Sequence, residues 1–434
     1  MNKRTYKIGE LSTLLKRGIT PSYTDEHLVK VVNQKCIRGF QINLDLARYT
    51  DPVKKKVSDE KYLENFDVLV NSTGVGTLGR VAQIFEINQP ITADSHVTII
   101  RPNQKIVDPL YFGYYMKSIQ KNIEMLGEGS TGQTELSRVL LSDLEIDIIE
   151  NIQKQRIVSE FLKVIDKKIE LNKKMNENLE EISKTLFKSW FIGFDPVRAK
   201  TEGRPTGLSK EISDLFPDSF EDSELGAIPK GWKVGKIGTY FDVLLGGTPS
   251  RKKEEYWNGD IPWINSGEIN NFRVISHSEL ITKSGFENSS TKLMPKRSTL
   301  IAITGATLGQ VSLNEIEVCA NQSVIGISPA TSIFPEYVYL WINFTIKKLI
   351  SSQTGGAQQH INTGNVKDHL IMIPDENIST YLISFFESIF DKISANLFET
   401  QTLISLRDTL LPKLISGELK VSDVENVIEK ATSK

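Results

Sequence analysis

Between residues 152 and 190 the apolar positions fall on a seven-residue register, Val158, Ile165, Asn172, Leu179 and Leu186, with Phe161, Met175 and Ile182 three residues further on. A second segment repeats the register with Leu382, Ile389, Asn396, Leu403 and Leu410. A period of seven predicts two long amphipathic helices of the left-handed coiled-coil kind. Each list carries one Asn as its middle member. The helices are therefore expected to pair antiparallel within the chain, with Asn172 opposite Asn396 and a hydrogen bond across the seam that fixes register. Lys168, Lys392 and Glu399 at companion positions keep the plainer alternative open, in which each Asn sits on a solvated helix face.

Outside these segments the pattern shortens. The runs FDVLV (66–70), HVTII (96–100), TLIAIT (299–304) and SVIGI (323–327) are separated by Gly, Asn and Pro clusters and predict strands and loops. Helices are expected over 109–126 and 335–351, each opened by a proline in its first turn.

These elements recur in order. GITPS (18–22) answers GGTPS (246–250), VVNQKCI (31–37) answers WINSGEI (263–269), STGVGTLGRV (72–81) answers ITGATLGQV (303–311), and ADSHVTIIRP (93–102) answers ANQSVIGISP (320–329). A unit this long is a domain and not a solenoid repeat. The organisation expected is α+β: two tandem domains at 1–150 and 229–375 and long helices at 151–193 and 376–417. An acidic connector at 194–228 and a polar tail at 418–434 complete it. The helices form an antiparallel intramolecular coiled coil with a pseudo-twofold relation between the copies. The step from Val158 to Leu186 covers about 42 Å of helix, close to the 34 to 36 Å turn of a DNA duplex.

With 434 residues the chain has room for two or three cores. Its formal net charge of −2 argues against a nucleic-acid binder only as a whole-chain number. Residues 1–50 hold nine Lys/Arg against four Asp/Glu, and residues 229–310 hold eleven against seven, whereas 201–228 hold two against seven. The start of each copy is basic and the acid lies in the connector, which permits DNA binding. No apolar run is long enough to span a bilayer and MNKRTYKIGELS has no apolar signal core, so a cytoplasmic protein is expected. Cys36 and Cys319 stand in no CxxC pattern and are expected to be packing residues.

No catalytic constellation emerges. GVGTLG (74–79) fits the dinucleotide pattern but is followed by strand-like sequence where a helix N-terminus is needed, so its glycines are read as a turn between strands. His27, His96, His277, His360 and His369 share no metal spacing, and no metal site is expected. PDSFEDSE (217–224) lacks the strand and lysine of a metal-dependent nuclease. A self-sufficient methyltransferase or nuclease would need a cofactor motif; a coiled-coil scaffold without DNA remains the other alternative.

The loops instead offer base-reading chemistry. Arg and Lys pair with guanine, Asn and Gln with adenine, and Ser or Thr with bases or phosphate. The first copy supplies Arg17, Thr20, Ser22, Gln34, Lys35 and Arg38 early, then Gln133 and Arg138. The second supplies Thr248, Ser250, Arg251, Lys252, Asn265 and Ser266, then Gln358, Gln359, His360 and Asn362. Singly, such residues are as readily plain loop formers; as sets they differ between copies while the framework matches, which suits two domains that read different sequences.

The TPS motif followed by WNGDIPWINSGEI, the TGATLGQV turn, the late loop GGAQQHINTGNVKDHLIMIP and the run SWFIGFDPVRAKTEGRP together resemble the specificity (S) subunit of type I restriction-modification systems. The resemblance covers essentially the whole chain. It implies two target recognition domains, each reading one half of a bipartite DNA site, and helices that act as central and distal spacers. It also implies assembly with two adenine-methylating modification subunits that bind S-adenosylmethionine, and with restriction subunits that use ATP and Mg2+, translocate DNA and cut it. This chain would bind no cofactor and catalyse nothing by itself.

Overall fold

The computed structural model describes residues 2–128, 134–329, 335–351 and 360–423, with Glu128, Leu382 and Ile383 by backbone alone. Two compact units result, Met1–Glu170 with Thr402–Lys434, and Leu171–Gln401.

In the first unit an antiparallel sheet orders Ser12–Arg17, Val97–Pro102, Val68–Asn71 and Val81–Gln83. A second sheet orders Ile91–Ala93, Val29–Val32, Arg48–Thr50 and Tyr23–Thr24, the first two parallel. Alternation explains the uninterrupted apolar runs: Val68 and Val70 enter one core while Leu69 enters another, so both faces of the strand are covered. The 109–126 segment is two helices, Pro109–Ser118 and Gln120–Met125, with Asp108 capping the first by accepting from Tyr111 N–H at 2.9 Å. At the break, Gln120 Oε1 accepts from Val81 N–H at 3.0 Å.

The second unit repeats this frame. Val243–Leu245, Val324–Ile327, Thr299–Ala302, Val311–Asn314 and Arg273–Val274 form one sheet. Glu279–Ile281, Trp257–Ile264, Val318–Ala320 and Leu293–Met294 form the other. Pro335–Ser351 is a single helix, as its sequence predicts. The duplication extends to individual hydrogen bonds: Gly18 N–H meets Val97 O at 3.0 Å and Gly246 N–H meets Val324 O at 2.9 Å. A Cβ on Gly18 would lie 2.0 Å from Ala93 O, and on Gly246 2.1 Å from Asn321 O, which is why both TPS motifs follow glycine. Phe66 and Arg297 share a left-handed backbone (φ 74° and 65°) at matching strand entrances.

The long helices are Ile152–Phe187, continued by a π-helical turn at Lys188–Ile192, and Glu376–Ile415. They pair antiparallel. In the first unit Arg407 Nη1 meets Asp166 Oδ1 at 2.7 Å; in the second, Asn172 meets Glu399 and Asn176 meets Asn396. Here the expected register needs correction, because Asn396 Nδ2 donates to Asn176 Oδ1 at 2.9 Å and Asn172 Nδ2 donates to Glu399 Oε2 at 2.8 Å. The companion positions also lie four residues on, not three. Leu162, Ile169, Asn176 and Ser183 are buried beside Val158, Ile165 and Asn172, whereas Ile182 is 48% exposed. Leu179, Leu186, Ile389, Leu403 and Leu410 are half-buried; the side chain of Leu382 lies outside the described residues.

Each helix also enters a core. Val158 and Leu162 pack with Leu411, Leu414 and Ile415 among Ile8, Leu11 and Tyr111 of the first unit. Phe187, Trp190 and Phe191 pack with Phe386, Phe390 and Ile393 around Tyr337 of the second. The stretch after Phe191 is folded, with helices at Asp195–Thr201 and Lys210–Ser213 and a hairpin of Phe220–Ser223 with Gly226–Pro229. Phe216 inserts beside Trp190, ring centres 5.7 Å apart.

Candidate nucleic-acid interface

In the first unit five separate segments meet on one rim. Asn33 caps the Gln34–Cys36 turn, its side chain accepting from Lys35 N–H at 2.9 Å. Gln34 O accepts from Asn71 Nδ2 at 3.1 Å, and Gln34 Oε1 accepts from Thr73 Oγ1 at 3.2 Å. Thr73 Oγ1 also lies 2.8 Å from His96 Nδ1. Arg17 Nη2 donates to Leu136 O at 3.1 Å and pairs with Glu135 at 2.5 Å, tying in the late segment. Thr20, Lys35, Arg38 and Arg138 are exposed. Arg38 opens a tight hairpin through Gly39 and Phe40, both left-handed. Ser22 is engaged through its backbone, its N–H donating to Thr50 Oγ1 at 2.9 Å. Gln133 lies outside the described residues.

The second unit builds the matching rim with other side chains. Asn265 takes the place of Asn33 and Ser266 that of Gln34; Asn265 Oδ1 accepts from Gly267 N–H at 2.8 Å in a capping box with Glu268. Asn362 caps Thr363–Asp368 reciprocally with Asn365 at 2.9 Å. Thr248 Oγ1 donates to Gln322 Oε1 at 2.6 Å. Arg251 lies 3.6 Å over the Trp257 ring while both its terminal nitrogens hold the Glu279 carboxylate. Ser250, Lys252 and His360 are exposed. Gln358 and Gln359 lie outside the described residues.

Two features of these rims escaped the sequence reading. Arg48 lies 3.6 Å over Tyr23, His27 stacks on Tyr49 at 4.4 Å, and Lys30 sits 5.9 Å from the same ring. A signal was present: Tyr23 and Arg251 each directly follow TPS, and each is half of a guanidinium–ring stack with the roles exchanged. The second feature is buried beneath the Ser266–Asn270 turn. Arg273, fully buried, meets Glu180 of the central helix at 3.2 Å and lies 3.9 Å from Glu315, with its guanidinium 4.5 Å over Tyr339. Tyr339 OH donates to Glu180 Oε1 at 2.7 Å, so the turn is braced against the helix through charge-assisted bonds. The hairpin turn 72–80, with Gly74, Gly76 and Gly79 all left-handed, is the turn read from GVGTLG.

Cys36 and Cys319 are both buried, and burial pushes the Cys319 thiol up to about 11, away from nucleophilic use. Among the described residues no group of three His, Cys, Asp or Glu could hold a metal ion. Among them too, no helix is long and apolar enough to cross a membrane.

Each unit thus presents a loop rim of hydrogen-bonding and cationic side chains on a matching frame. The family model for the type I restriction modification DNA specificity domain matches residues 2–181 and 229–400, and the chain belongs to that family. It is similar to the specificity subunit of type I restriction enzyme HindI from Haemophilus influenzae, 26% identical over 406 residues, covering 83% of this chain and 88% of that protein. It is similar to the MjaIX specificity subunit of Methanocaldococcus jannaschii, 26% identical over 339 residues and covering 77% and 74%. The S subunit structure from M. genitalium shares the fold, with a TM-score of 0.57 at 17% identity over 96% of both chains. The chain is therefore the DNA-specificity component of a type I restriction-modification system, and the chemistry of such a system belongs to its other subunits.

Proposed function

We propose that one unit reads one half of a bipartite DNA site, the other unit reads the second half, and the paired helices set the distance between them. The observation that carries this reading is the duplicated frame with unlike rims: Tyr23, Gln34 and His96 stand where Arg251, Ser266 and Ser323 stand in the other copy. Equal frames carrying different donors and acceptors suit an asymmetric site. The chain works in the cytoplasm with two modification subunits that bind S-adenosylmethionine and with translocase/endonuclease restriction subunits that use ATP and Mg2+. Exposed apolar side chains on the central helix support docking, Ile157 and Val164 in the first unit and Leu171 and Ile182 in the second, and partner helices would cover them.

The test is to map methylated adenines in cells carrying this chain and its modification subunits, with and without seven residues inserted into each long helix. One heptad adds about 10.5 Å, which should widen the gap between half-sites by about three base pairs at 3.4 Å each. A continuous site, or an unchanged gap, would remove the helices from the role of spacer.

A further inference from the structure

We propose that Val75 is a specificity-determining contact of the first unit, meeting the 5-methyl group of a thymine in the major groove. The inference rests on the reading of that unit as a DNA-recognition body. Val75 is 83% exposed, at the tip of the hairpin turn between Val68–Asn71 and Val81–Gln83. Gly74 and Gly76 flank it with φ of 106° and 70°, and a Cβ on Gly76 would meet nothing within 4 Å, so the tip stands in open space.

The turn is nevertheless held firmly. Thr77 and Leu78 N–H groups bond to Gly74 O at 3.1 and 3.0 Å, Gly79 N–H to Asn71 O at 2.8 Å, and Arg80 Nη2 donates to Gly76 O at 2.7 Å. Asn71 Nδ2 ties Thr77 O to Gln34 O, 3.1 Å from each. An apolar side chain on a braced tip is packed against no part of the fold and gains by leaving water against a partner.

The neighbours say which partner. A Cβ on Gly74 would lie 3.0 Å from Gln34 Nε2, and Thr73 joins Gln34 to His96, so Val75 projects from the polar rim itself. Within a rim that offers donors and acceptors to base edges, the apolar feature of the major groove is the thymine methyl. A short branched side chain suits that contact, whereas wedges that part a base step are long or flat. The second unit carries Ala306 at the same tip, exposed after the left-handed Gly305 (φ 67°), so the two copies present apolar contacts of different size in one frame.

The test uses the full chain assembled with its modification subunits on a duplex bearing the mapped site. Each thymine of the half-site read by the first unit is replaced in turn by deoxyuridine, which removes the methyl and keeps the pairing face. One replacement should weaken wild-type binding about fourfold, the factor for one methyl returned to water. Val75→Ala should bind the unmodified duplex about fourfold more weakly and lose its sensitivity to that replacement, while substitutions in the other half-site act as before. Sequence-specific binding with no sensitive thymine, or with sensitivity unchanged in V75A, overturns the contact. A V75A chain that loses its modification subunits yet keeps the thymine discrimination also overturns it, by making Val75 a protein contact. A wild-type complex with no sequence preference overturns the DNA-reading role itself.

Discussion

Asn396 Nδ2 donates to Asn176 Oδ1 at 2.9 Å, with both side chains buried in the seam of the long helices. Asn176 Nδ2 is spent on Ile393 O at 3.3 Å, so this pair fixes both rotation and register of the two helices at that level. A slip by one turn would set the Asn176 amide against side chains such as Ile393, which is buried in the core of the second unit.

Asn396→Leu should destabilise the chain by about 1 to 3 kcal/mol, because the amide of Asn176 stays buried without its partner. The double variant N176L/N396L should recover most of that loss, since two leucines of similar volume fill the seam. Urea unfolding of the four chains gives the coupling directly; additive losses would mean that the amides do not act as a pair.

The Arg273–Glu180 pair is more costly to break. Arg273→Met leaves Glu315 buried without its cation and Glu180 with only the partly exposed Lys184 at 3.5 Å, and should cost about 3 to 5 kcal/mol. Amide exchange should show the loss first around Ser266–Asn270 and the adjoining Arg273–Val274 strand. Uniform loosening throughout the second unit would contradict the bracing role.

His369 gives a pH signature. Burial, aided by Lys348, lowers its imidazole from 6.5 to about 4, and its ring Nε2 lies 2.9 Å from Thr345 Oγ1. Between those values the unfolded chain takes up a proton that the folded chain refuses, so stability falls as pH falls from about 6.5 toward 4. NMR titration should place the ring near 4, and His369→Gln should flatten that part of the stability profile. A ring that titrates near 6.5 would contradict the burial.

Much of this was written in local patterns. Val68–Asn71 and Thr299–Ala302 announce themselves because strands covered on both faces are apolar at every step. Pro335 marks its helix start by a fixed φ. The helix register was half legible. Steps of three and of four both keep a seven-residue stripe, and the choice depends on where the neighbouring core lies. Leu162 and Phe187 are drawn inward by cores built from other segments, leaving Ile182 outside. Arg273 and Arg48 were invisible for a related reason: their partners, Glu180 and Tyr23, are distant in sequence and nothing local marks the pairing.

The central claim is that each unit reads its own half of the site. Residues 1–150 should be exchanged for those of a relative with a different specificity, and methylated adenines mapped in cells that also carry the modification subunits. One half of the site should change while the other half and the gap stay as they were. A change in both halves, or in neither, would contradict the account.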